Sequence, residues 1–181
     1  IRALNGLCAQ ELSGDVPGAP SCDEAANRLA AARYADPMLR QAVAENLAER
    51  AARQRDSVQM ESRALESLAA AATLGTPDPV WRASYLMARA QQAQQQPALA
   101  IFFGKQAVDQ LQLLRRPLFE VDARLDAAFL RDKIDVYRTL ANWLLDAERL
   151  DEALEVLQLM KSEERNDFLQ RDEAGAGGAR L

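Results

Sequence analysis

The stretch Glu148–Leu157, ERLDEALEVL, decides the fold of this chain, because its polar start separates two helical patterns. Before it, Tyr137, Leu140 and Leu144 recur at steps of three and four, the spacing of one helix face. After the turn, Ala153 begins a second stripe with the same steps. A small residue at this place indicates two antiparallel helices that pack closely. The sequence therefore predicts a helical hairpin, which is typical of a binding scaffold rather than of an active site.

The composition is typical of an all-α protein that is rich in alanine. Of the 181 residues, 49% are hydrophobic and 27% are charged, whereas only 8 are Gly and 7 are Pro. The net charge of −5 argues against a nucleic-acid binder held by phosphate contacts. No apolar run approaches the ~20 residues that span a bilayer. The chain begins at Ile1 rather than Met, so we expect a fragment of a longer protein.

Two cysteines flank a loop that is rich in Gly and Pro, at residues 13–20. Cys8 and Cys22 would suit a disulfide in an oxidising compartment, and two unrelated thiols in a cytosolic protein are the alternative. The compartment therefore stays open between cytoplasm and export, and a bonded pair would indicate a periplasmic or secreted protein. We interpret residues 1–35 as an N-terminal helical extension around this loop.

Proline and aspartate mark the expected helix boundaries. Asp36 and Pro37 form a start signal, with Asp as N-cap and Pro at the first helical position. Pro97 is expected to open a helix and Pro117 to close it. A turn near residues 54–57 is preferred to one long helix. The predicted repeat domain, 36–172, contains three hairpins at 36–75, 78–116 and 119–170, and residues 173–181 form a flexible Gly/Ala linker or tail.

Small residues recur in the three predicted hairpins. In each hairpin two of them lie 12 positions apart, and the sets follow one another at steps of 36 and 53 residues. The pairs are Ala52 and Ala64, Ala88 and Ala100, and Ala141 and Ala153. Such spacing places small side chains where neighbouring antiparallel helices cross, so that their backbones can approach closely.

This pattern resembles the tetratricopeptide repeat (TPR), in which small residues separate large ones on two helices. A more specific resemblance covers about residues 97–172, through AIFFGKQAV at 100–108, YRTLA at 137–141 and RLDEA at 149–153. These segments look like the repeat region that precedes the CHAT domain of bacterial TPR–CHAT proteins, which are caspase- and separase-like peptidases. The resemblance implies a right-handed α-α superhelix of TPR-like hairpins that regulates or senses for a peptidase domain absent from this chain.

The residue types present give little basis for catalysis. The chain has no histidine, so Ser-His-Asp and Cys-His sites and histidine-containing zinc sites are excluded. Two cysteines cannot make a four-thiolate site, and the Gly cluster at 175–178 does not follow a strand as a phosphate loop would. We therefore expect a non-catalytic chain with no metal or cofactor.

The geometry of TPR arrays, in which the first helices line a groove, indicates a candidate partner-binding surface. Its predicted residues are Arg53, Arg82, Tyr85, Arg89, Arg138 and Asn142. Arginines with Tyr and Asn would suit an acidic peptide, either from another protein or from the same full-length chain. The alternative is a structural helical bundle that dimerises through the long helix predicted at 119–146. The sequence does not fix the oligomeric state.

Overall fold

The described part of the chain is helical. The computed structural model describes residues 1–160, apart from the side chains of residues 119, 120 and 123. Its helices are α1 (Arg2–Ser13), α2 (Pro20–Ala31), α3 (Pro37–Arg53), α4 (Ser57–Leu74), α5 (Pro77–Ala93), α6 (Pro97–Val121) and α7 (Ala123–Asp146). A further helix begins at residue 150 and continues to 160, and no strand occurs among these residues. The all-α prediction is confirmed.

None of the helices described is long and apolar enough to cross a membrane. The linker predicted at 173–181 and the last turns of the hairpin predicted at 119–170 lie outside the described residues.

The chain divides into two compact units, Ile1–Leu113 and a second unit that starts at Leu114. In the first unit α1 packs on α2, α3 on α4 and α4 on α5, while α3 also contacts α1, α2 and α5. One core cluster joins α3, α4 and α5 through Ala48, Met60 and Leu86, with Phe103 of α6 against it. Most of its members are Ala or Met. These helices therefore pack closely through small side chains, as the alanine content predicts.

A second core cluster joins α1, α2 and α3. Cys8 and Cys22 are bonded to each other within it, and each is about 1% exposed. Leu12 and Leu47 belong to the same cluster, so the disulfide lies among apolar side chains. It links α1 to α2 across the Gly/Pro-rich loop.

Three of the turns between helices have the same backbone conformation. Each contains one non-Gly residue with φ of 59°, at Arg55, Gln95 and Glu148. The next residue then donates its N–H to the carbonyl five positions earlier, at 2.8–3.0 Å. These bonds are Asp56 to Ala51, Gln96 to Gln91 and Arg149 to Leu144. The three helix pairs that they join are therefore equivalent in their turns.

The three similar turns give an alignment of the helix pairs that they join. Their left-handed residues are at positions 55, 95 and 148, which gives steps of 40 and 53 residues. The step of 53 residues agrees with the alignment predicted from the sequence. The step of 40 residues is four residues longer than the predicted 36, a difference of about one helical turn. Ala48 rather than Ala52 is therefore equivalent to Ala88 and Ala141. Burial agrees, because these three alanines are 0%, 0% and 2% exposed, whereas Ala52 is only partly buried.

Helix boundaries follow the predicted signals at some positions and not at others. Asp36 caps α3, since its carboxylate accepts a hydrogen bond from the N–H of Met38 at 3.0 Å. Pro117, in contrast, does not close α6, which continues to Val121. The break comes at Asp122, whose carboxylate accepts from the N–H of Arg124 at 2.8 Å and caps α7.

The second unit contains a buried ion pair between the end of α6 and α7. Arg115 donates to both carboxylate oxygens of Asp126, at 2.5 and 2.9 Å. Its remaining terminal nitrogen donates to the carbonyl of Leu159 at 2.7 Å. The two side chains are 8% and 4% exposed. One guanidinium therefore joins three helical segments of this unit.

Candidate interaction face of α3 and α5

Polar side chains form one stripe on α3 and another on α5, which contact each other within the first unit. The α3 stripe follows steps of four and consists of Gln41, Glu45, Glu49 and Arg53. The α5 stripe follows steps of three and four and consists of Asp78, Arg82, Tyr85 and Arg89. Steps of three and four keep side chains on one side of a helix. We call these two stripes together the α3/α5 face.

Arg89 occupies one end of this face between an acid and an aromatic ring. Its guanidinium lies 2.5 Å from the carboxylate of Glu49, and both side chains are about one third exposed. Its central carbon lies 5.8 Å from the ring centroid of Tyr85, a distance typical of a cation–π contact. The ion pair between Arg89 and Glu49 therefore joins α5 to α3, and the side chain of Tyr85 remains partly accessible.

Arg82 has a similar arrangement about two helical turns away on α5. It lies 3.2 Å from Asp78, 3.8 Å from Glu45 and 5.5 Å from the ring centroid of Trp81. Trp81 is itself buried and donates its indole N–H to Asp78 at 3.1 Å. The Nε atom of Arg82 is buried without a hydrogen-bond partner. Charge, stacking and one hydrogen bond from a terminal nitrogen to Asp78, at 3.3 Å, therefore hold this guanidinium.

The surroundings of Glu45 alter the acidity of its carboxyl. Burial raises the pKa of its carboxyl above the ordinary value of 4.5, while Arg82 and the hydrogen bond from Gln41 act in the opposite direction. Gln41 donates to it at 2.8 Å. Desolvation disfavours the charged form, so the neighbouring cation only partly stabilises the carboxylate.

The structure brings three of the predicted groove residues together, namely Arg82, Tyr85 and Arg89. Arg53 lies on the α3 stripe and forms an ion pair with Asp15. Arg138 and Asn142 belong to the second unit, where both are exposed on α7.

The corrected register changes which residues are equivalent. Glu49, and not Arg53, takes the position of Arg89 and Asn142, at the same steps of 40 and 53 residues as the turns. Glu45 and Glu49 were not among the predicted groove residues, although their spacing on one side of α3 could have indicated them. Each arginine of the α5 stripe already has a carboxylate beside it, so the face carries mixed charge.

Among the residues described, no group of three or more metal-ligating side chains comes together. Comparison with protein-family models, with curated proteins and with solved structures finds no match to this chain. The resemblance to TPR–CHAT proteins accordingly stays a prediction.

Proposed function

We propose that this chain is a protein–protein interaction scaffold, a right-handed superhelix of TPR-like hairpins, whose α3/α5 face binds a polypeptide segment. The observation that carries the proposal is the row of Arg82, Tyr85 and Arg89 on one side of α5. Arginine and tyrosine are the residue types most enriched at protein interfaces and among their strongest contributors to binding. The repeated turn and the closely packed alanines support the repeat architecture.

The charges of the face indicate what the partner carries. The face contains three guanidinium groups, of which those of Arg82 and Arg89 lie on α5 and that of Arg53 on α3, and three carboxylates, those of Glu45, Glu49 and Asp78. A wholly acidic segment would meet the carboxylates as well as the arginines, and like charges brought together are unfavourable. The proposed partner segment therefore carries both basic and acidic side chains, in contrast to the acidic peptide expected from the sequence.

The similarity to TPR–CHAT proteins supports a regulatory or sensing role within a longer peptidase protein. In that case the bound segment belongs to another domain of the same protein. Catalysis is assigned to that domain, and this chain serves as its non-catalytic part.

Burial along α7 favours this scaffold over a bundle that dimerises through the long helix. Val136, Tyr137, Leu140 and Leu144 are each 5% exposed or less within a single chain. An apolar seam that is already buried is not available to a second copy. Sedimentation equilibrium tests the alternative, the bundle that dimerises. That alternative predicts a dimer, and it predicts that substitution of Leu125, an exposed residue of α7, abolishes the dimer.

A charge-swap variant tests the α3/α5 face without breaking its ion pair. Glu49→Arg combined with Arg89→Glu retains an opposite-charge pair but reverses the charges that a ligand meets. Peptides would be selected from a random display library on the 181-residue chain, and their affinities for wild type and variant compared. We expect binding to weaken at least about tenfold, the equivalent of about 1.4 kcal/mol, with the helical circular dichroism unchanged.

The matched control swaps Glu24 and Arg28, an exposed ion pair on α2 at 2.8 Å. It should leave peptide affinity unchanged. Failure to enrich any peptide, or equal affinities for the two swapped proteins, would contradict the proposed face.

A further inference from the structure

An open groove of about 640 Å³ lies within the first unit, where α2 and α4 both border α3. Most of its lining side chains are small and apolar, including Ala26, Ala30, Val43, Leu47, Ala69 and Ala70. Its polar lining comes from Arg40, Arg63, Glu66 and Thr73. Pockets for small molecules have about this volume, about 300–1,000 Å³, and the same balance of many apolar and few polar groups.

The dimensions of the groove suit one extended chain. Along α3 it reaches from Pro37 to Leu47, which corresponds to about 15 Å of helix. A single alkyl chain, or an extended peptide of about four residues, would span this length.

Hydrogen bonding distinguishes these two occupants. An extended peptide brings an N–H and a carbonyl with every residue, and each one buried without a partner is costly. The groove lies between helices, whose backbone groups are already bonded to one another. Of its polar side chains, Arg63 is already paired with both oxygens of Glu66, at 3.0 and 2.9 Å. An alkyl chain needs no such partners and fits the alanine walls.

One cation of the lining has no acid beside it. The Nε of Arg40 donates to the carbonyl of Ala35 at 3.2 Å, and no carboxylate among residues 1–160 pairs with this guanidinium. Its side chain is exposed, so its terminal nitrogens remain available to an anion from solution. We propose that the groove binds a free single-chain carboxylate of the fatty-acid class, with the alkyl chain between α2 and α4 and the carboxylate on Arg40.

Isothermal titration calorimetry with dodecanoate, below its micelle concentration, tests this site on the 181-residue chain. Ala70→Leu fills the groove and should weaken binding at least about tenfold. Ala72→Leu is its matched control, since Ala72 is exposed on the same helix and does not line the groove. Arg40→Gln should weaken binding about fivefold, as expected for one exposed charge pair, whereas Arg116→Gln should not. Equal affinities for the groove variants and their controls would overturn the proposal.

Chain length and headgroup provide a second readout that does not depend on a variant. From hexanoate to decanoate the affinity should rise about two- to fourfold per methylene, because each added methylene is removed from water. Dodecyltrimethylammonium has the same tail as dodecanoate with a cationic head, and should bind more weakly. Binding to phosphatidylglycerol vesicles without binding of monomeric dodecanoate would refute the free-ligand site. So would a peptide, extended or helical, that occupies the groove when none of the carboxylates does.

Discussion

The buried pair of Arg115 and Asp126 permits a quantitative test of the second unit. Asp126→Asn preserves the shape of the side chain but removes its charge, and so takes a carboxylate away from a guanidinium that is only 8% exposed. It also replaces one of the two acceptor oxygens, now at 2.5 and 2.9 Å from Arg115, by an amide nitrogen. Removing one partner of a buried ion pair costs about 3–5 kcal/mol. Because a typical domain is stable by about 5–15 kcal/mol, the loss should be large.

The measurement is urea unfolding followed by the fluorescence of Trp143, which lies on α7 in the second unit. Trp81→Phe in the background removes the signal of the first unit. With a slope of about 1–3 kcal/mol per molar urea, the midpoint should fall by about 2 M. Asp135→Asn is the matched control, because Asp135 is exposed on the same helix and lies 3.9 Å from Arg138. Its midpoint should not change measurably.

A double substitution separates the cost of breaking the buried ion pair from a general loss of packing. Arg115→Met with Asp126→Leu removes both charges and should recover much of the stability lost in Asp126→Asn. The reasoning is refuted if Asp126→Asn shifts the midpoint as little as the exposed control. It is also refuted if the loss of stability in the double variant equals the sum of the losses measured for Arg115→Met and Asp126→Leu separately.

Three further predictions concern the first unit. Ala48→Leu should cost about 1–3 kcal/mol by overpacking a close helix contact, and Ala52→Leu clearly less; equal losses in thermal melts would contradict the corrected register. Burial raises the pKa of Glu45, so its carboxylate is less favourable in the folded protein than in the unfolded chain, and the contribution of this group to stability should fall as pH rises above 4.5. Glu45→Gln should therefore raise the melting temperature at neutral pH and lose this advantage below pH 4.5, so a difference independent of pH would speak against it. Cys8→Ala with Cys22→Ala should lower stability by about 3 kcal/mol, because the bond closes a loop with a sequence separation of 14, and dithiothreitol should leave this variant's melting temperature unchanged while lowering that of wild type.

Helix boundaries were predictable where one residue determines the local backbone. Asp36 with Pro37 is such a place, since a capping carboxylate and a proline at the first position act within one turn. Proline is a strong local signal at residue 117 as well, yet α6 continues past it. A proline removes one helical hydrogen bond, yet Arg115, two residues earlier, is bonded to Asp126 and Leu159 in neighbouring segments. Tertiary bonds that the sequence does not reveal can therefore offset a local helix breaker.

The glutamine run at 91–96 shows a similar limit. A polar run of this kind is typical of a helix end and connector, and α5 ends at Ala93. However, Gln91 and Gln94 each donate to one carboxylate oxygen of Glu61 on α4, both at 2.7 Å. Composition indicates that such residues are polar, but which distant acid they bond depends on how the helices are aligned.

The alignment of the first repeat was the least predictable feature, and its physical cause is the alanine content of α3. Ala44, Ala48, Ala51 and Ala52 offer several registers of similar quality, because a small side chain satisfies the pattern at each. The turn that resolves them carries Arg55 in a left-handed conformation, at φ of 59°. Glycine is the residue usually found in that conformation. Because this position is occupied by Arg instead, the sequence does not show which residue of the turn is left-handed.

That shift of one helical turn also explains why the expected partner changed. With Ala52 as the anchor, Arg53 is aligned with Arg89, and the predicted groove is lined by arginines. With Ala48 as the anchor, Glu49 takes that position and lies 2.5 Å from Arg89 itself. The ion pair between Glu49 and Arg89 can be predicted only from the correct register. A shift of four residues on α3 puts Arg53 in the place of Glu49. In a repeat built from alanine, an error in the packing register therefore becomes an error in the charge of the binding face.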